Sequence, residues 1–209
     1  MRYVAMDFET GNASPLSACS VGISVFEDRA LVRNEVQLIR PPAEVGKFHW
    51  GNIRIHGIRE RMVANSPAFD EVWRALRDDV CGGVLVCHNA MFDTAVLCAC
   101  LNYYHLPLPD CAYVCTVKVS QRVWPELINH KLNTVSEALG IPLNHHEAGS
   151  DAQAAGFILQ AALQKTGSGD VCELAERIGM RLGRISPAGK SPCSIAKEAC
   201  GKTARANRN

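Results

Sequence analysis

Asp7 and Glu9 stand two residues apart in the run Tyr3-Val4-Ala5-Met6-Asp7-Phe8-Glu9. On an extended strand that spacing sends both carboxylates out from one face, while Met6 and Phe8 leave from the other toward a core. Two adjacent carboxylates repel unless a cation stands between them. Oxygen ligands with no thiolate or histidine pair nearby favour Mg²⁺ or Mn²⁺ over zinc. Two further acids stand at expected helix starts. Asp93 closes His88-Asn89-Ala90-Met91-Phe92-Asp93 and Asp151 closes His146-Glu147-Ala148-Gly149-Ser150-Asp151. Taken singly, either is also the charge that a helix N-terminus attracts. His146 precedes Asp151 by five residues, which within one helix would set the two about 140° apart. With a cap at Ser150, His146 belongs instead to a loop that folds back over the helix start. Acids that hold cations, with a histidine to accept a proton, are what phosphodiester hydrolysis needs.

Positioning those groups requires a particular order of elements. The first strand carries Asp7 and Glu9. Strand-like runs follow near Cys19–Phe26 and Leu31–Ile39, joined by a turn at Glu27-Asp28-Arg29, which reads as an antiparallel meander. Pro41-Pro42 opens a loop to about Gly57. Phe69, Val72, Trp73, Leu76 and Val80 then recur at helical spacing. A short buried strand, Val84-Leu85-Val86-Cys87, leads into a helix from about Asn89 to Tyr104. Beyond a strand near Tyr113–Cys115 come helical stretches around Val117–Trp124 and Thr134–Leu139. Thr134 with Glu137, and Ser150 with Gln153, have the spacing of capping boxes. Strands followed by alternating strands and helices predict an α/β fold with a mixed sheet.

At 209 residues and 47% hydrophobic, the chain suits one domain with a short remainder. We expect a catalytic domain over residues 1–168, an amphipathic helical extension over 169–185 and a basic, flexible tail over 186–209. No run is apolar enough to cross a bilayer, and the acid at position 7 comes too early for a signal peptide. These features predict a cytoplasmic protein. Its ten cysteines lack paired CxxC knuckles, so they read as reduced, small apolar residues. Net charge is +1, yet residues 177–209 hold eight Lys/Arg against Glu198 alone, leaving an acidic body. Such a tail either holds a polyanion near the acids or is simply solvated.

In order, Asp7-Phe8-Glu9-Thr10, His88-Asn89-Ala90-Met91-Phe92-Asp93 and His146-x-Ala148-x-x-Asp151 resemble the three motifs of the DEDDh exonucleases. That DnaQ-like family includes the proofreading subunit of bacterial replicative polymerase, ribonuclease T and oligoribonuclease. Ile55-His56-Gly57-Ile58 is similar to the segment joining the first two motifs. The resemblance implies a ribonuclease-H-like fold, a five-stranded mixed sheet with its first three strands antiparallel, flanked by helices. It implies that Asp7, Glu9, Asp93 and Asp151 hold two Mg²⁺ or Mn²⁺ ions and that His146 is the general base. It further implies that Thr10, His56, His88 and Phe92 contact the terminal nucleotide. The expected activity is 3′→5′ removal of nucleoside 5′-monophosphates from nucleic-acid ends, single-stranded DNA favoured over RNA. A polymerase reached through the C-terminal tail is the expected protein partner. Gly11-Asn12 after Thr10 departs from the family's usual Thr-Gly, which touches the substrate and not the acids. Rival readings are an RNA-processing member and a non-catalytic nucleic-acid binder. A small-molecule phosphatase would want a glycine-rich phosphate loop of the P-loop type, which the sequence lacks.

Overall fold

The computed structural model describes residues 1–196; residues 197–209, and with them four of the eight C-terminal basic residues, lie outside the described residues. Strands β1 (Arg2–Thr10), β2 (Ala18–Glu27) and β3 (Ala30–Leu38) form the expected antiparallel meander. Asp28 and Arg29 both take positive φ, 47° and 70°, giving a two-residue turn whose twist matches the strands it joins. Helices α1 (Trp50–His56), α2 (Glu60–Val63) and α3 (Phe69–Cys81) precede β4 (Val84–Cys87). Next come α4 (Ala90–Tyr103), β5 (Cys111–Cys115), α5 (Thr116–Val123), α6 (Leu132–Leu139), α7 (Ala148–Thr166) and α8 (Val171–Arg177). Four short strands follow: β6 (Met180–Arg181), β7 (Gly183–Ser186), β8 (Gly189–Ser191) and β9 (Ser194–Ile195).

The main sheet has the order β3-β2-β1-β4-β5-β7-β8, and β6 pairs with β9 apart from it. β4 and β5 run parallel to β1, so the sheet is mixed. It holds seven strands where five were expected. The two extra strands are the β7–β8 hairpin, which pairs antiparallel with the free edge of β5. Residues 169–185 are therefore helical only over α8, and order continues past Ser186. Nothing in the Gly/Pro/Ser/Lys-rich sequence announces strands of three or four residues. Their register comes from a tertiary contact: the Tyr113 ring occupies the space a side chain at Gly183 would need.

Helices cover both faces. α3 buries Phe69, Val72, Trp73, Leu76 and Val80, the five positions picked out by period. α7 lies across β1 and β2, with the Phe26 ring filling the place of a side chain at Gly156. Phe26 also stacks on Tyr3, ring centroids 4.8 Å apart. Full burial of such a side chain contributes about 1.5–3 kcal/mol. Three local expectations are corrected. The loop from Pro41 contains α1, a helix with no buried residue that is started by the His49 side chain accepting from the Gly51 N–H. α6 begins at Leu132, not Thr134, because burial of Leu132 and Val135 draws the helix back. α7 begins at Ala148, capped by Glu147 and not by Ser150. Nine cysteines are free among the described residues, and no described helix is long and apolar enough to cross a membrane.

Candidate active site

β1 outruns its parallel neighbour. Pairing with β4 covers Tyr3 to Ala5, and β4 ends at Cys87, so Asp7, Phe8 and Glu9 continue past it. Asn89, at φ 69°, turns the chain straight into α4 and sets Asp93 in its first turn. There the Phe8 N–H donates to Asp93 Oδ1 at 3.0 Å. A backbone donor lacking a strand partner thus receives a buried carboxylate, and Asp93 is fixed behind Asp7 and Glu9.

Asp151 arrives from the other side. Asp7 pairs with Gly22 across β1 and β2, and a Cβ at Gly22 would collide with the Ala148 carbonyl. The missing side chain lets the first turn of α7 rest directly on the sheet. Glu147 caps that turn, its carboxylate accepting from the N–H groups of Gly149 (3.2 Å) and Ser150 (2.8 Å). Ser150 Oγ accepts from the Asn144 N–H at 2.8 Å and closes the preceding loop. His146, at φ 72°, donates its backbone N–H to Asp151 Oδ2 at 3.0 Å. Asp151 Oδ1 is buried and has no partner among the described residues.

Asp7, Glu9 and Asp151 each bring a carboxylate oxygen within 4.8 Å of the others, a set able to hold a metal ion. Asp93 stands outside that set, but its charge acts on it. Burial, then Asp93, Asp151, Glu9 and Glu147, hold the Asp7 carboxyl well above the ordinary range. Burial and the charges of Asp151 and Asp93 push Glu9 up to about 8. Burial raises Asp93 to about 7 against the pull of the Phe8 N–H, and Asp151 to about 6 against that of the His146 N–H. Mutual repulsion, hard oxygen donors and an unpartnered buried oxygen all fit a divalent cation of the Mg²⁺ or Mn²⁺ kind.

A cleft of about 570 Å³ opens over the acids, lined among others by Asp7, Glu9, Asp151, His88, Phe92, His145, His146 and Lys131. His88 is on its wall with both ring nitrogens engaged. Nε2 donates to the His130 carbonyl at 3.0 Å and Nδ1 meets Thr116 Oγ1 at 2.9 Å. Burial lowers the His88 pKa to about 4, so the ring is neutral. Thr10 and His56 are not brought into this cleft. His56 Nε2 donates to the Thr10 carbonyl at 3.2 Å, its Nδ1 accepts from the Ile58 N–H, and Asn52 Nδ2 donates to the same carbonyl. Together they fix the end of β1. Thr10 instead lines a neighbouring cavity of about 240 Å³, and Phe92 forms part of both walls.

The sequence reading missed Glu147 and His145. The acids were expected to have no histidine pair nearby, yet the His145 ring stacks on that of His146, centroids 3.8 Å apart and planes 16° from parallel. Its Nε2 is 3.9 Å from Asp151 Oδ2. Adjacent residues in an extended loop point apart. The left-handed conformation of His146 brings the two rings together, and no sequence spacing displays it.

A family model described as exonuclease (RNase_T) matches residues 4–159, a span that holds all four acids and His146. The chain belongs to this exonuclease family. The chain is 29% identical over 168 residues to the 3′-5′ exonuclease DinG of Bacillus subtilis, covering 78% of this chain and 18% of that protein. It is 27% identical over 166 residues to a PolC-type DNA polymerase III of Caldanaerobacter subterraneus, covering 78% of this chain and 12% of that protein. The chain therefore spans less than a fifth of the length of these relatives. Among solved structures, Exonuclease X in complex with 5′ overhanging duplex DNA superposes with a TM-score of 0.67 at 22% identity, covering 85% of this chain and 99% of that one. The nuclease domain of 3′hExo, a DEDDh family member bound to rAMP, gives 0.64 at 16% identity, covering 80% and 94%. Both share the ribonuclease-H-like fold described above.

Proposed function

We propose that the chain is a 3′→5′ exonuclease that releases nucleoside 5′-monophosphates one at a time, acting on single-stranded DNA ends by preference. The convergence of Asp7, Glu9 and Asp151 at the floor of one cleft, with Asp93 behind them and His146 at the rim, carries this reading. Asp7, Glu9, Asp93 and Asp151 would hold two Mg²⁺ or Mn²⁺ ions. Bound there, the ions supply charge stabilisation to the scissile phosphate and to the departing 3′ oxygen. The chain's own groups do the rest. His146 is kept neutral as burial and His145 lower its pKa, so its ring is free to accept the proton of the attacking water. Phe92 is 42% exposed and offers a face to the terminal base. His88, its nitrogens committed, acts as a fixed wall that meets the terminal nucleotide through ring carbons, while His56 holds the Thr10 carbonyl at the end of β1. The Thr10 cavity beyond Phe92 takes the far side of that nucleotide.

RNA is the runner-up substrate, and a relative bound to rAMP speaks for it. The PolC-type relatives support a polymerase as protein partner, and the C-terminal tail, residues 186–209, of which 197–209 lie outside the described residues, is the segment we assign to that contact. The decisive assay supplies matched 5′-labelled single-stranded DNA, duplex DNA and RNA with Mg²⁺ or Mn²⁺. We expect a ladder from the 3′ end, 5′-monophosphate products, full loss of activity in chelator and resistance of 3′-phosphorylated strands. Digestion of a circular single strand, or release of 3′-monophosphates, would overturn the polarity and the roles of Asp7, Glu9 and His146.

A further inference from the structure

We propose that His145, His146 and Asp151 form a second metal site, selective for a borderline ion such as Zn²⁺, through which that ion inhibits the enzyme. Each of the three brings one ligand atom within 4.8 Å of the other two. Zn²⁺ bonds of 2.0–2.1 Å set tetrahedral neighbours about 3.4 Å apart. His145 Nε2 and Asp151 Oδ2, at 3.9 Å, are within a small rotation of that spacing. Among the described residues the two rings make no hydrogen bond through their nitrogens, whereas both nitrogens of His88 and of His56 are engaged. Each ring therefore has a lone pair to give once one of the stacked rings turns, because lone pairs in near-parallel planes with centroids 3.8 Å apart do not meet on one ion.

The carboxylate that the two metal sets share has an oxygen to give. Asp151 Oδ1 is buried and unpartnered, in a side chain only 6% exposed. Ligand chemistry then separates the two metal sets that share Asp151. Asp7 and Glu9 complete an all-oxygen set, suited to hard ions. His145 and His146 complete a nitrogen-rich one, for which Zn²⁺ outranks Mg²⁺ and Mn²⁺ by the usual order of divalent affinities. An ion on the second set engages the His146 lone pair and competes for Asp151. Inhibition follows without displacement of substrate.

The inhibitory consequence rests on the exonuclease reading, but the binding does not, so the test measures both. Zn²⁺ is titrated into the metal-free full-length chain by calorimetry, with Co²⁺ as a visible-absorption probe of tetrahedral nitrogen coordination. Zn²⁺ inhibition is measured in parallel under saturating Mg²⁺. His145→Ala and His145→Gln should each weaken Zn²⁺ binding by roughly 10- to 100-fold, at least what loss of a supporting residue of a metal site brings. The Co²⁺ band should fade and the inhibitory Zn²⁺ concentration should rise by the same factor. Inhibition is expressed relative to each variant's own zinc-free Mg²⁺ rate, because His145 also helps to keep His146 neutral. Unchanged Zn²⁺ affinity in both variants would assign the ion to the carboxylates and overturn the proposal. Histidine-dependent Zn²⁺ binding in a chain that digests no nucleic acid would uphold the site and sink the exonuclease reading instead.

Discussion

Asp7, Glu9, Asp93 and Asp151 keep their protons to higher pH in the folded chain than free carboxylates do. Unfolded values near 3.8 and 4.5 become about 6 for Asp151, 7 for Asp93 and 8 for Glu9. A raised folded pKa means the folded state binds more protons, so this stabilisation is complete below about pH 4 and is lost as pH rises to about 8. In chelator, the melting temperature should therefore fall between pH 5 and pH 8. Mn²⁺ should restore it most at the alkaline end, because binding displaces those protons. Asp7→Asn, which removes one of the clustered charges, should flatten the chelated profile; a wild-type profile already flat in chelator would contradict the account. His146→Ala should lower kcat by roughly 10²- to 10⁴-fold, the contribution of a positioned proton acceptor, with Mn²⁺ affinity unchanged in calorimetry. Strand parity and motif spacing made the acids and His146 legible. His145 was not, because its place depends on a single backbone angle.

Among elements, the meeting of α7 with β1 and β2 matters most. Gly22 allows the Ala148 carbonyl to touch the sheet beside Asp7. Gly22→Ala should push the start of α7 outward and carry Asp151 with it. We expect a loss of about 1–3 kcal/mol in denaturant melts, as overpacking usually gives, together with a drop in kcat that extra Mn²⁺ only partly restores. A stable, inactive variant would show that Asp151 moved without strain; a fully active one would show that the contact is dispensable. α3 was readable because five apolar residues follow its period on one buried face. The starts of α6 and α7 were misread because local capping patterns lost to the burial of Leu132 and to the reach of Glu147.

For the molecule as a whole, the C-terminal hairpin finishes the sheet. β7 covers Cys111 to Tyr113 on β5, the Tyr113 hydroxyl donates to the Ser191 carbonyl at 3.0 Å, and Lys118 Nζ donates to the Cys193 carbonyl at 2.6 Å. Ending the chain after Leu182 would leave an open strand edge and a bared Tyr113, a template for pairing between copies. That truncation should lower the melting temperature and raise light scattering at high concentration. A monomeric variant that melts with the full chain would mean that β5 needs no cover. Segments this short, in glycine- and proline-rich surroundings, carry no period, so the five strands of the meander and its parallel partners were foreseeable and these were not.

The early end of β4 has one more consequence, concerning length rather than composition. Carried on two residues in register from the Ala5–Val86 pair, β4 would set position 88 opposite Asp7. At about 3.3 Å per residue, some 7 Å of added ladder would roof over the acid-bearing end of β1 and leave Asp93 no amide to receive. The cleft is, in this sense, a missing rung. Between Cys87 and Ala90 the number of residues cannot grow, whereas the Asp28-Arg29 turn, outside the cleft lining, has room to lengthen.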